Sequence, residues 1–99
     1  MAHRTIVWTR TAIKQFEKAL NFIALDSVVN ADKIAVAILK ELNKASANAE
    51  FFPPDKYKKN NDSSYRAFEK HHYRVIYRVR NNVIRILSIR HTKMNPREY

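Results

Sequence analysis

Residues able to do chemistry lie mainly in the second half of this 99-residue chain, and they are cations and aromatics rather than acids. Residues 56–99 hold 12 Lys and Arg against 3 Asp and Glu, whereas residues 1–55 hold 7 against 6. His72, His91, Arg74, Arg78 and Tyr99 all fall in the basic part. That set suits one reaction, metal-free cleavage of RNA by its own 2′-hydroxyl. A base takes the 2′ proton, cations stabilise the phosphorane, and an acid protonates the leaving oxygen. Either imidazole can be the acid or the base, Arg74 and Arg78 can hold the scissile phosphate, and Tyr99 can stack on a base or assist proton transfer. Each residue also has a plainer reading. A strand arginine can be a solvated charge, His71 and His72 suit a turn, Lys56, Lys58 and Lys59 suit steering of a polyanion, and Tyr99 can be disordered.

Other chemistries fit less well. Four histidines without a cysteine or a helical His-x-x-x-His offer no zinc site. Asp62, Glu69 and Glu98 do not supply the paired carboxylates of glycosidase or aspartic chemistry, and a Ser-His-Asp triad lacks its nucleophile elbow. Glycine is absent, which rules out a glycine-rich phosphate loop and a dinucleotide fingerprint. No metal and no cofactor are expected.

The element that must position these residues is a hairpin. Two runs rich in β-branched and aromatic residues, YRVIYRVR (73–80) and VIRILSIR (83–90), flank Asn81 and Asn82, which tolerate the positive φ of a tight turn. With a two-residue loop, Arg80 faces Val83, Arg78 faces Arg85, Ile76 faces Leu87 and Arg74 faces Ile89, all on one side. Tyr73, Val75, Tyr77, Val79, Ile84 and Ile86 form the opposite, core side. If the register continues, His72 lies opposite His91 on the face that carries Arg74. Arg66, Arg74, Arg78, Arg80, Arg85 and Arg90 are the candidate polyanion-binding residues.

Ahead of the hairpin, residues 5–8 read as a strand and Thr9 as a helix cap, with Trp8 and Ile13 placed for a hydrophobic staple. Ile13, Phe16, Leu20 and Ile23, supported by Ala12 and Ala19, repeat at helical spacing until Asp26 and Ser27 interrupt. Asn30 can cap a second helix with Ile34, Ile38, Leu42, Ala35, Leu39 and Ala45 in its stripe, ending near Asn48 before Pro53 and Pro54. Residues 55–64 read as a mobile basic loop, and 65–70 as another strand. The fold expected is α+β, ordered β-α-α-β-β-β, with a helical hairpin packed on one face of a small, mainly antiparallel twisted sheet. Residues 1–99 form one domain.

Apolar residues at 45% and charged residues at 28% suit a folded globule, but a net charge of +10 does not suit a neutral role. It points to nucleic acid or an acidic protein. A membrane surface fits less well, because the cations follow strand and loop patterns. Nothing resembles a signal peptide or a membrane span, so the expected location is the cytoplasm.

With this element order, YRVIYRV (73–79), IRILSIRH (84–91) and the ending TKMNP (92–96), the chain resembles the RelE/ParE superfamily of type II toxins, often labelled plasmid stabilisation proteins. The resemblance implies a small bacterial toxin silenced by a cognate antitoxin, an acidic and partly disordered chain. It also implies one of two targets. The RelE-like branch is an mRNA endonuclease on the ribosome. Arg74 matches its strand arginine, Lys93 a second basic residue and Tyr99 its terminal tyrosine, while Glu69 and His91 are approximate counterparts of a base and a histidine. The paired lysines of the preceding strand are not matched, since only Arg66 and Lys70 stand there. The ParE-like branch inhibits DNA gyrase without nuclease residues, and the long helical hairpin and the spacing from His91 to Pro96 are more similar to that branch.

Overall fold

The apolar stripes of two helices and the apolar face of a four-stranded sheet close on one another to make the core. The computed structural model describes residues 3–99. In order, these form β1 (Thr5–Trp8), α1 (Arg10–Ala24), α2 (Val28–Ala47), a 3-10 turn (Ala49–Phe51), β2 (Tyr65–Lys70), β3 (Tyr73–Arg80) and β4 (Val83–His91). The sheet order is β1-β4-β3-β2; β1 runs parallel to β4 and the other two pairings are antiparallel. The α+β arrangement expected from the sequence is the one observed. No helix among the described residues is long and apolar enough to cross a membrane.

Helix α1 begins where expected: Thr9 Oγ1 accepts the Ala12 N–H at 3.2 Å. Its buried line holds Ala12, Phe16, Ala19 and Ile23 as the sequence reads it, but not Ile13. Ala12 is fully buried and Ile13 is 41% exposed, because a small side chain lets the helix approach the sheet closely. Trp8 therefore packs on Phe16, with ring centroids 5.3 Å apart, and not on Ile13. Helix α2 is capped three residues before the position expected, Asn30. Ser27 is the cap, its Oγ accepting the Asn30 N–H at 3.0 Å. Ile34, Ile38, Leu42 and Ala45 are buried as expected, whereas Leu39 is exposed. At its far end Ser46 Oγ donates to the Arg4 carbonyl at 2.5 Å and so ties α2 to the start of β1.

The β3–β4 ladder contains one irregularity. Tyr77 pairs with Ile86 but Ile76 pairs with Ser88, so Leu87 is an extra residue, a β-bulge. Beyond it every β4 side chain is offset by one. Ile89 faces Val75 and is 2% exposed, inside the core, and Arg90, not Ile89, stands opposite Arg74. The bulge is supported by α1. Thr9 Oγ1 donates to the Ile86 carbonyl at 2.7 Å, and Gln15 Oε1 accepts the Ile89 N–H at 2.7 Å, where β1 no longer covers the edge.

With no glycine available, other residues take up the left-handed backbone. Asn81 has φ 53°, and His71 and His72 have φ 50° and 69°. Two consecutive positive φ values between antiparallel strands define a type I′ turn, which asparagine and glycine fill at less strain than histidine.

The double substitution His71→Asn, His72→Gly is therefore expected to raise the unfolding free energy by about 1 kcal/mol, read by urea denaturation. By the same measurement Tyr77→Ala, which empties a fully buried site, should cost about 3 kcal/mol or more, and Arg80→Ala about 0.5 kcal/mol or less. Comparable losses for these last two would show that the sheet faces are reversed.

Candidate functional site

The open face of the sheet carries, across β2, β3 and β4, the rows Glu69, Arg74, Arg90 and Tyr65, Arg78, Arg85, with Arg80 beside Val83 at the turn. Arg66 is not on it. It pairs with Tyr77 and so shares the helix side of the sheet, where it donates to the carbonyls of Ser63 at 3.0 Å and Phe52 at 2.8 Å. The expectation that all six arginines form one surface is corrected to five, because strand alternation sends Arg66 the other way.

Arg74 is engaged. Its Nη2 donates to Asp55 Oδ1 at 2.6 Å, its Nη1 to Glu69 Oε2 at 3.0 Å, and the guanidinium lies 4.9 Å from the centre of the Tyr57 ring. Only Nε is buried without an acceptor. Asp55 is 2% exposed and is shared: the Tyr99 hydroxyl donates to Oδ2 at 2.6 Å and the Tyr57 N–H to Oδ1 at 3.1 Å. Burial alone would raise the Asp55 carboxyl, but the hydrogen bonds from Tyr99, Arg74 and Tyr57 outweigh it and hold the carboxyl below its ordinary range. Burial and the Asp55 carboxylate together push the Tyr99 hydroxyl well above a free phenol.

This network fixes the two segments that the sequence reads as mobile or disordered. Residues 55–64 are cross-braced by Asn61, whose Nδ2 donates to the carbonyls of Asp55 at 3.2 Å and Tyr65 at 2.8 Å, while its Oδ1 accepts the N–H groups of Ser63 and Tyr65. The tail, 92–99, crosses the open face and docks on that loop. The Lys59 N–H donates to the Tyr99 carbonyl at 2.6 Å and the Tyr99 N–H to the Tyr57 carbonyl at 3.2 Å. Beneath the tail is a cavity of about 490 Å³ lined by Ile76, Leu87, Met94, Pro96, Arg90 and Tyr57, among others.

His91 lines the cavity that Arg74 and Tyr99 also line, and His72 does not. Because of the Leu87 bulge, His91 stands opposite Tyr73 and shares the face of that residue, with ring centroids 5.2 Å apart. Its Nδ1 accepts the Lys93 N–H at 3.0 Å, which makes it part of the turn into the tail. His72 lies in the β2–β3 turn, its ring 6.2 Å from His91, and its carbonyl accepts the Thr92 N–H at 2.7 Å. The Lys93 side chain is exposed. Among the described residues there is no group of three or more His, Asp or Glu side chains that could hold a metal ion.

The sequence profile of the family described as ParE toxin of type II toxin-antitoxin system, parDE, matches residues 6–96. The chain belongs to this ParE toxin family. Among solved structures, a chain from the chromosomal ParDE toxin-antitoxin system of P. aeruginosa is similar in fold, with a TM-score of 0.68 and 18% identity over 92% of this chain and 98% of that one. No curated protein matches the sequence. In this ParE family member the residue that organises the site, Asp55, was missed by the sequence reading. Its local signal is an Asx turn to the Tyr57 N–H. Its partners, 19 and 44 residues away, give no local signal.

The folded-state carboxyl of Asp55 lies below its unfolded value, so the unfolded chain takes up the proton first as pH falls. The network's contribution is complete above the ordinary aspartate range and is lost as pH drops through the lowered folded value. Asp55→Asn should flatten this acid limb of a stability–pH profile. Asp55→Ala, which leaves Arg74 with only Glu69, should cost about 3 kcal/mol at neutral pH.

Proposed function

We propose that this ParE-family toxin arrests growth by inhibiting DNA gyrase and is neutralised by a cognate antitoxin, and that it is not an mRNA endonuclease. The observation that carries this reading is the state of the nuclease candidates. Arg74 and Tyr99 are both bonded to Asp55, and His91 Nδ1 is an acceptor in a turn. An arginine already paired with two carboxylates has less charge to give a phosphate, and proton transfer needs a group whose pKa lies near the operating pH. Tyr99 is shifted away from that range. An inhibitor that acts by binding places no such demand on these residues.

The antitoxin expected from the charge is acidic and partly disordered, able to order itself against a surface with excess positive charge. Cytoplasmic location follows from that role.

Purified protein added to gyrase and relaxed plasmid should block supercoiling, and His91→Ala and Lys93→Ala should retain the block and the growth arrest. Normal supercoiling, together with new 5′ ends in translated mRNA after induction, would instead assign the chain to the nuclease branch.

A further inference from the structure

At the turn end of the β3–β4 hairpin three arginines lie close together with no carboxylate among the described residues pairing with any of them. Arg78 and Arg85 stand directly opposite one another, and Arg80 follows beside the turn. Of the acids of the second half, Glu69 pairs with Arg74 and Glu98 with Lys59 at 3.9 Å; Asp62 accepts the Ser64 N–H at 3.0 Å and is near enough to feel the Arg78 charge, without forming an ion pair with it. Like charges placed face to face on a sheet repel unless an anion lies between them.

We infer that this end of the hairpin is a docking surface for the phosphate backbone of duplex DNA, with Arg78, Arg80 and Arg85 as the contacts. Three observations select this occupant. The first is charge: residues 56–99 carry 12 cations against 3 acids, and a duplex presents the densest regular array of anions such a surface can meet. Second, the aromatic rings nearby are already covered. Tyr65 carries Arg78 at 4.6 Å and Lys58 at 4.8 Å, and Tyr99 carries the same Lys58 at 5.4 Å. A single strand is held largely by stacking its bases on free ring faces, whereas a duplex needs only the cations. Third, the large exposed apolar side chains Phe22, Leu25, Val28 and Val29 lie on the helices and their connection, and Tyr99 of the tail, which does reach this patch, is already covered by Lys58. A folded protein partner would need an apolar centre depleted of charge. The choice of DNA over another duplex rests on the gyrase reading, since gyrase works on duplex DNA.

The test is fluorescence anisotropy with the full chain, using a labelled DNA duplex, one of its strands alone, and a glutamate-rich peptide as probes over a salt series. The double variant Arg78→Ser, Arg85→Ser is compared with Lys33→Ser, Lys40→Ser, which removes equal charge from exposed positions on α2. The duplex should bind the parent chain, the arginine variant should bind about tenfold more weakly, and its slope of log affinity against log salt should be shallower by about 2. The lysine variant should stay within about twofold of the parent. Equal losses in the two variants would reduce the effect to net charge and overturn the inference. Tighter binding of the single strand, or of the peptide, would overturn it in favour of that ligand. A supercoiling assay on the same preparations separates the two readings. Gyrase inhibition without duplex binding overturns the surface alone, and duplex binding with the stated variant pattern but no inhibition supports the surface and overturns the gyrase reading.

Discussion

The carboxylate of Asp55 joins three segments that have no local reason to meet: the loop that contains it, the Arg74 position of β3, and the tail that ends at Tyr99. Its side chain is fully buried, so it requires compensation from charge-assisted hydrogen bonds, and Arg74, Tyr99 and the Tyr57 N–H provide them. A buried ion pair of this kind adds little net stability over an apolar replacement. Its effect here is on placement. It draws the tail across the sheet, forms the roof of the cavity beneath, and leaves Arg74 with less charge to offer a ligand.

The Leu87 bulge acts on the same face from the other side. One extra residue in β4 moves Ile89 into the core and Arg90 beside Arg74, and it sets His91 opposite Tyr73. The N-terminus of α1 makes the bulge tolerable, because Thr9 caps the helix and also satisfies the Ile86 carbonyl. Helix capping and sheet irregularity are thus one local solution, and the distribution of cations on the open face follows from it.

That face is consequently divided in two. At the tail end, Arg74 is enclosed with carboxylates and aromatic rings. At the turn end, no carboxylate among the described residues pairs with Arg78, Arg80 or Arg85. The net charge of +10 is therefore not spread evenly as solvated charge, and the Arg78, Arg80, Arg85 cluster is where it is concentrated on this face.

The sequence by itself determined the elements and the core. Period-2 alternation in 73–80 and 83–86 and the stripe Ile34, Ile38, Leu42 are local patterns that only one burial can satisfy, and the core built from them is the one observed. The cap at Thr9 was legible for the same reason, whereas Ser27 was passed over for Asn30 and Ile13 was placed in the buried stripe of α1, since neighbouring residues offer nearly equivalent local signals. Tertiary structure alone decided the site. A single inserted residue inverts every face assignment beyond it without changing the local pattern. Arg66 left the basic surface by its register with Tyr77. The pairing of Asp55 with Arg74 and Tyr99 depends on chain segments meeting in space, which neither composition nor periodicity encodes.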